Sequence, residues 1–421
     1  MTARWQWILK QIVRKLWFRA SLFSLLGVAT ALVALGVKNY IPADVSAEIG
    51  ADAVDNILGI IASSMLAVTT FSLNIMVSAY GSATTNITPR ATPLLVEDST
   101  TQNVLATFVG SFLFSLVGII TLSTGLYGTD GRVVLFAVTI GVLLLIVYTL
   151  LRWIDHLARL GRMSETTDRV EKAAVQALEE RRQHPFLGGS PLYETMSVPV
   201  NARDIYSSKI GYVQHIDIQA LGKLTTGEED RAIYVHVLPG SFVDRRTRLA
   251  SLVGQETASD DDVRTAFSID ARRSFEQDPR FGLSVLAEIA SRALSPAVND
   301  PGTAIDVIGR GVRIFSLWAQ PHDPESEAKT GYNRVFVRGL NADDMFDDFF
   351  GPIARDSAPL VEVGMRLQKA LAALAMSGGP DFLRAAQRHA ALALRRAELI
   401  LHLEDDKSVL RNLASKVGRS G

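Results

Sequence analysis

Four long stretches of this sequence contain no charged side chain. They span residues 20–37, 57–80, 104–126 and 133–151. A helix needs about 20 apolar residues to cross the hydrocarbon core of a bilayer, so each stretch is long enough. The first is too long for the apolar core of a cleaved signal peptide, and no obvious cleavage site follows it. We therefore predict a four-helix transmembrane domain over residues 20–152.

Basic residues beside these spans predict their orientation. The segments before the first span and after the fourth are rich in arginine and lysine, whereas the loop after the first span has Lys38 against four acidic residues. Because basic flanks stay in the cytoplasm, we expect both termini to face it. Residues 1–19 alternate aromatic and basic side chains, which indicates an interfacial helix lying on anionic lipid. A simple extension of the first span is the alternative.

The second span is the most polar of the four. Small and polar residues recur in it at steps of four, three, four and four, which places them on one helix face: Ser63, Ala67, Thr70, Asn74 and Ser78. In lipid, such side chains face other helices or water, because their polar groups need partners. Two interpretations stay open. The face packs against neighbouring helices, or Ser63, Thr70, Asn74 and Ser78 line a pore.

The spans contain no Asp, Glu, Lys, Arg or His. Proton-coupled carriers place ionisable groups within the membrane, so this absence argues against a proton antiporter. It is compatible with a passive channel, a scaffold or a membrane anchor. The fourth span is almost wholly aliphatic, which indicates a helix that faces lipid.

The rest of the chain has the composition of a soluble protein. The overall mean hydropathy is +0.18 although 21% of the residues are charged, which indicates an apolar part joined to a soluble part. We predict a stalk helix over residues 153–190, a small β-rich domain over 191–270 and a helical domain over 271–421. The fold class is thus membrane α-helical, followed by a cytoplasmic α+β module whose β-rich part is a small barrel or sandwich. A net charge of −1 gives no reason to expect a nucleic-acid partner.

Motifs for catalysis are missing from the sequence. It has no cysteine, no glycine-rich phosphate loop and no zinc-binding His-Glu-x-x-His helix. His215 and His236 meet only if their strands pair, and a zinc site needs at least three protein ligands. Four aspartates in "NADDMFDDFF" follow Asn341, which suits a helix cap and the helix dipole better than a Ca²⁺ or Mg²⁺ site. We therefore predict no enzyme, no cofactor and no metal.

The segment "SPAVNDPGTAID" stands out among the soluble helices. Asp278-Pro279 and Asp300-Pro301 have the same form, in which the aspartate caps a helix and the proline occupies its first turn. We predict one helix from Pro279 to about Ala293 and the next from Pro301. Charged and polar residues nearby form either a structural ion-pair network or a ligand or anion site. These candidates are Arg273, Gln277, Asp278, Arg292, Ser295, Asn299 and Asp300.

Several of these segments resemble the bacterial predicted membrane proteins grouped as Domain of Unknown Function 2254. The similarity is carried by "VTTFSLNIMVSAYGSATTNITPR", "LPGSFVDRRTRL" and, most specifically, the Ala-Leu-Ser-Pro-x-x-Asn-Asp-Pro-x-Thr-Ala pattern from Ala293 to Ala304. Gly302 stands where the family usually has a bulky aromatic residue. The resemblance implies a bacterial inner (plasma) membrane location and this domain layout. It implies no reaction, ligand or cofactor.

Two functional hypotheses follow. The first is a homo-oligomeric channel or transport-related protein for an ion or small solute, in which the second span lines the path and the cytoplasmic module gates or assembles it. The alternative is a membrane-anchored sensor or scaffold whose cytoplasmic module binds a ligand or partner.

Overall fold

The computed structural model describes residues 12–13, 15–37, 51–86, 88–96, 98–124, 128–159, 162–193, 195–226, 231–254, 259–320 and 331–418. These residues fall into two compact units, one formed by Ile8–Thr166 and one that contains Thr167–Gly421. Most of the predicted interfacial helix at 1–19, and the loop over 38–50, lie outside the described residues.

The first unit is built from helices. They are α1 (Leu16–Val37), α2 (Ala51–Asn86), the short α3 (Thr92–Val96), α4 (Ser99–Ser123) and α5 (Gly128–Leu157). Within the described residues, three segments are long and apolar enough to cross a membrane, namely Ala53–Ser82, Ser99–Ser123 and Arg132–Leu157. The sequence predicted four spans. The first of these predicted spans, at residues 20–37, stays a prediction, although the structure forms a helix there.

Helix α4 is the most buried of the three candidate spans. Glycines allow α1 to approach it closely. A Cβ added to Gly27 would lie 2.6 Å from the carbonyl oxygen of Gly110, and one added to Gly110 would lie 2.9 Å from the carbonyl oxygen of Phe23. Because apolar lipid gives helices no hydrophobic reason to associate, close backbone packing at small residues is a main source of attraction. Helix α5, by contrast, leaves Leu144 and Leu151 exposed, as its aliphatic sequence predicts.

The segment predicted as one stalk helix contains the end of α5 and a separate helix. Helix α5 ends at Leu157, and α6 (Met163–Gln183) begins after a turn. Helix α6 ends directly before His184-Pro185, because the residue before a proline is disfavoured in the helical conformation.

In the part of the chain that the structure describes, eight strands follow, with two short helices. The strands are β1 (Gly189–Pro191), β2 (Arg203–Tyr206), β3 (Gly211–Ile216), β4 (Ala232–Val235), β5 (Phe242–Val243), β6 (Arg248–Val253), β7 (Phe267–Asp270) and β8 (Tyr332–Val337), and the helices are α7 (Ile218–Leu224) and α8 (Asp260–Thr265). One sheet has the order β1-β8-β4-β6-β2 and the other β5-β3-β7. Both contribute to one hydrophobic core. Neither sheet closes on itself among the described strands, so the barrel alternative is not confirmed.

Strand β8 comes from the part of the chain predicted to be a separate helical domain. It lies between β1 and β4 and is parallel to both. Val335 and Val337 on this strand are fully buried in the core shared by the two sheets. The β-rich and helical parts are therefore interleaved, and this region is best described as mixed α/β.

The remaining helices form the second half of this unit. They are α9 (Pro279–Ala293), α10 (Pro301–Ala319), α11 (Ala342–Asp356), α12 (Val361–Ser377), α13 (Pro380–Ile400) and α14 (Glu404–Ala414). Their core is aromatic, because the Phe315 ring lies 4.7 Å from Phe346, 5.4 Å from Phe350 and 6.3 Å from Phe382 between centroids. Such ring pairs add stabilisation beyond the area they bury.

The glycine contact between α1 and α4 gives a first prediction. Gly27→Ala places a methyl group against the backbone of Gly110. We therefore expect the free energy of unfolding to fall by about 1–3 kcal/mol, the typical cost of overpacking. Thermal unfolding of the purified protein in detergent measures it. Gly141→Ala on α5 is the matched control, because a Cβ there meets no atom within 4 Å. Equal unfolding temperatures for the two variants would contradict the close contact.

Candidate functional site

Helix α2 has a buried face and an exposed face. The buried residues recur at helical spacing and include Leu58, Ile61, Met65, Ser72 and Met76. The five small and polar residues identified in the sequence are all exposed: Ser63, Ala67, Thr70, Asn74 and Ser78. At about 100° per residue, this polar stripe lies on the side of α2 opposite the buried face. Among the described residues, the stripe is therefore not used for packing.

The stripe residues differ in their hydrogen bonding. The hydroxyls of Ser63 and Thr70 each donate to the carbonyl oxygen four residues earlier, at 3.0 Å. This local bond satisfies a hydroxyl without any outside partner. Asn74 is different, because its carboxamide carries two N–H donors and an acceptor, and it is exposed. Asn74 is the member of the stripe with the greatest need for a partner.

A second polar group joins α4 and α5. The Nε2 atom of His156 lies 2.9 Å from a carboxylate oxygen of Asp98 and 3.0 Å from the Thr101 hydroxyl. The His156 ring stacks on Trp153, whose indole N–H donates to the buried Ser72 hydroxyl at 2.9 Å. The local sequence does not predict this cluster, because His156 lies just beyond the uncharged stretch and its partners are distant in sequence.

Both predicted aspartate caps are confirmed. Asp278 accepts from the Phe281 N–H and begins α9, and Asp300 accepts from the Thr303 N–H and begins α10, each with proline at the first position. Helix α9 also ends at Ala293, as predicted. Its 15 residues keep the two ends of the helix about 21 Å apart. The seven candidate residues therefore lie in two groups, at opposite ends of α9.

The first group surrounds a buried carboxylate. Asp278 is only 2% exposed, and Arg273 binds both of its oxygens, at 2.8 and 3.0 Å. Burial raises the pKa of the Asp278 carboxyl, and Arg273 acts in the opposite direction. The side-chain oxygen of Gln277 accepts from the Ile216 N–H at 3.0 Å. Its backbone carbonyl oxygen accepts from Arg181. Burial lowers the pKa of Arg181 to about 10, and nearby Asp278 opposes this.

The second group closes the joint between α9 and α10. The Ser295 hydroxyl donates to the Arg292 carbonyl at 2.7 Å, and the Asp300 N–H donates to the Ala293 carbonyl at 2.8 Å. Asn299 has a φ of +50°, a left-handed conformation that asparagine tolerates better than most residues. Hydrogen bonds from Thr303 lower the pKa of the Asp300 carboxyl. These contacts account for the local sequence of the joint, while Arg292 and Asn299 remain exposed.

Arg310 is a central residue that is absent from the candidates predicted from the sequence. It is 8% exposed and donates to Asp306, Asp168 and Glu171. Burial lowers the pKa of Arg310, but its bonds to Asp306 and Asp168 outweigh burial and raise it. The pair Asp306 and Arg310, four residues apart on α10, was the only local signal for this group.

The four aspartates of "NADDMFDDFF", at the start of α11, take part in ion pairs. Asn341 caps the helix as predicted, accepting from the Asp343 N–H. The partners of the aspartates are Arg280 for Asp344 and Asp348, Arg384 and Arg388 for Asp343, and Arg388 and His389 for Asp347. Among the described residues, no group of three or more His, Asp or Glu side chains is placed to hold a metal ion.

The strands that carry or precede the two histidines do not pair with each other. His215 is on β3 in the three-stranded sheet, and His236 follows β4 in the other sheet. His236 lies 2.7 Å from the Ser251 hydroxyl, which donates to Asp204 at 2.6 Å. Since a carboxylate only accepts, the serine proton is directed to Asp204 and the imidazole N–H donates to the serine. This order differs from a nucleophilic serine, whose proton is directed to a histidine.

An apolar helical unit followed by a mixed α/β region defines a membrane protein. The chain belongs to the predicted membrane protein family DUF2254, whose model matches residues 13–373. It is similar to uncharacterized proteins of Mycobacterium bovis and Mycobacterium tuberculosis, with 25% identity over 279 residues, or 64% of this chain and 53% of each relative. The chain thus spans about half the length of these curated relatives. No solved structure matches it.

The Asp300 cap yields a prediction about the joint. Asp300→Ser retains a capping oxygen. We therefore expect it to lower the free energy of unfolding by only a few tenths to about 1 kcal/mol, and by less than Asp300→Ala does. Thermal unfolding of the two variants measures the difference. A loss of cellular or transport function in a stably folded Asp300→Ser protein would show that the joint does more than connect two helices.

His236 yields a prediction about acid stability. Burial lowers the pKa of His236 to about 4, below the value of about 6.5 for an unfolded imidazole. As pH falls, the unfolded chain therefore takes up this proton first, and stability is lost between these two values. We expect His236→Gln, which cannot titrate, to reduce the drop in unfolding temperature over this pH range.

The control for this experiment is His402→Gln, because His402 is exposed. It should leave the pH dependence of unfolding unchanged. If His236→Gln and the unmutated protein lose stability in parallel on acidification, the neutral buried state of His236 is refuted.

Proposed function

We propose that this membrane protein is a homo-oligomeric channel or transport-related protein in which α2 lines the path. The observation that carries the proposal is the polar stripe, which is exposed although it lies on a candidate membrane span. The proposal places the chain in the bacterial inner membrane with both termini in the cytoplasm, in agreement with the distribution of basic residues.

The chemistry of the bilayer supports this assignment. A carboxamide exposed to hydrocarbon loses its hydrogen bonds to water, so Asn74 requires either another protein chain or an aqueous path. The opposite face of α2 is already occupied by Leu58, Met65 and Met76, which are buried within the unit. A symmetric assembly around the stripe provides both kinds of partner, because copies of α2 then face one another across water.

The flanks of the stripe fit the same arrangement. Apolar side chains border it on both sides, with Leu66 and Val77 on one edge and Ile60 and Phe71 on the other, all more than half exposed. Such borders suit contacts between neighbouring copies of α2, and the central hydroxyls and carboxamide suit water. The stripe contains no charge, which is consistent with a passive path.

A membrane-anchored sensor or scaffold is the second candidate. One observation favours it, a cleft of about 320 Å³ between α13 and the α14 region, with an apolar floor that includes Ala390 and Leu394. Gln387, Arg411 and Ser415 supply polar groups at this cleft. Arg411 also pairs with Glu398 and Glu404, which limits its availability to a ligand. We therefore rank this function second.

Cysteine substitution tests the channel directly, because the chain has no cysteine of its own. We expect the full-length protein in liposomes to pass ions or small solutes under voltage, tension or osmotic shock. In Asn74→Cys, a bulky cationic thiol reagent should reduce this flux to the level of empty liposomes, since the modified side chain blocks the path. Oxidation should also cross-link copies of Asn74→Cys.

Leu144→Cys is the matched control, because Leu144 also lies on a candidate membrane span, in α5, and is 66% exposed. Its modification should leave the flux unchanged. The channel is ruled out if a folded, reconstituted protein gives no flux above empty liposomes under any of the three stimuli, and the anchored sensor or scaffold is then preferred.

A further inference from the structure

Two neighbouring turns of the three-stranded sheet present apolar and basic side chains together. One turn precedes β3 and the other follows β5, and Gly211 pairs with Val243 in the strand register. Ile210 is 63% exposed and Phe242 is 60% exposed, although both are large and apolar. Lys209, Arg245 and Arg246 on the same turns are also exposed. We call these five residues the basic-apolar tip.

The backbone of the tip is held in place by its own hydrogen bonds. The Ser207 hydroxyl donates to the Lys209 carbonyl at 2.7 Å and accepts from the Lys209 N–H at 3.2 Å. In the second turn, Asp244 accepts from the Arg246 N–H at 2.9 Å and from the Thr247 hydroxyl at 2.7 Å. The two turns therefore present their side chains from an ordered frame. They do not need a partner in order to fold.

The charge of the tip is positive. Three bases stand on the two turns against one acid, Asp244, whose carboxylate is engaged in the turn and has a lowered pKa because of its bonds to Thr247 and Arg246. Asp270, which pairs with Tyr212, adds one further acid on the neighbouring strand. The Phe242 ring packs edge-on against Tyr212 at 5.2 Å, which supports the ring from the sheet side.

We propose that the basic-apolar tip docks on the anionic headgroup surface of a lipid bilayer. Exposed bases beside a few apolar side chains are the chemistry by which peripheral surfaces bind anionic lipid, with the apolar groups inserted at the headgroup boundary. Two apolar side chains fall well short of the roughly 800 Å² per partner that a stable protein interface needs. The tip is also covalently tethered to membrane-spanning helices, which raises its effective concentration at lipid.

An environment-sensitive probe on the full-length protein tests this docking. Ser208→Cys puts a single cysteine beside the tip in a chain that has no other, and it leaves all five tip residues intact. The labelled protein is placed in nanodiscs of phosphatidylcholine alone or with added phosphatidylserine. The cysteine carries the fluorophore NBD, whose emission shifts to the blue in an apolar environment. We expect this shift, and quenching by spin-labelled lipids, only with phosphatidylserine. High salt should reverse both effects.

Two variants and one control site separate the contributions. In the Ser208→Cys background, charge reversal of Lys209, Arg245 and Arg246 to Glu should abolish the shift, and Phe242→Ser should weaken the quenching. The control label is Val200→Cys, because Val200 is fully exposed on another segment. Its emission should be the same in both lipids. If the triple variant lowers the unfolding temperature, salt titration of the unmutated tip replaces it.

Three results would overturn the docking. Emission could be the same in the two lipids. It could shift without quenching by spin-labelled lipids and only when a disc holds several copies, which would show a contact between chains. It could shift on addition of nucleic acid or an acidic protein instead of lipid. Each result is independent of conduction, because the flux of the channel depends on α2 and not on the tip.

Discussion

The bilayer core contains no water, and this constraint determines the arrangement of the helical unit. Every polar group there needs a partner in the protein or in an aqueous path. Two polar residues of α2 differ in this respect. Ser72 on the buried face of α2 accepts a hydrogen bond from the Trp153 indole inside the unit. Asn74, only two residues later, points to the opposite side. One helix thus separates a polar group that is satisfied inside the unit from a carboxamide that is exposed on the opposite face.

The same requirement acts on buried charges in the second unit. Asp278 is nearly inaccessible, and Arg273 binds both of its oxygens. Arg310 is surrounded by three carboxylates, from α6 and from α10. A buried charge without its partner is strongly destabilising, so each group restricts which helices can pack together. These pairs fix the position of α6 against the helical half of this unit.

The sequence predicted the features that depend on near neighbours. The aspartates before Pro279 and Pro301 predicted two helix starts, and Asn341 predicted a third. These starts are predictable because a capping side chain bonds to a backbone group only two or three residues away. Features that depend on distant residues were missed. Strand β8 reads locally as a short strand within a helical region, and nothing near it indicates insertion between β1 and β4. The pairing of His156 with Asp98 was missed for the same reason.

The length of α9 changes how the signature segment is understood. Read along the sequence, residues 273 to 300 look like one polar constellation, and a single ligand site is a natural interpretation. The helix between the two caps is 15 residues long and keeps its ends about 21 Å apart. A small ligand cannot contact both ends. Any functional role of the exposed Arg292 and Asn299 is therefore separate from the buried Asp278 group, whose chemistry is explained by holding α9 against β3 and α6.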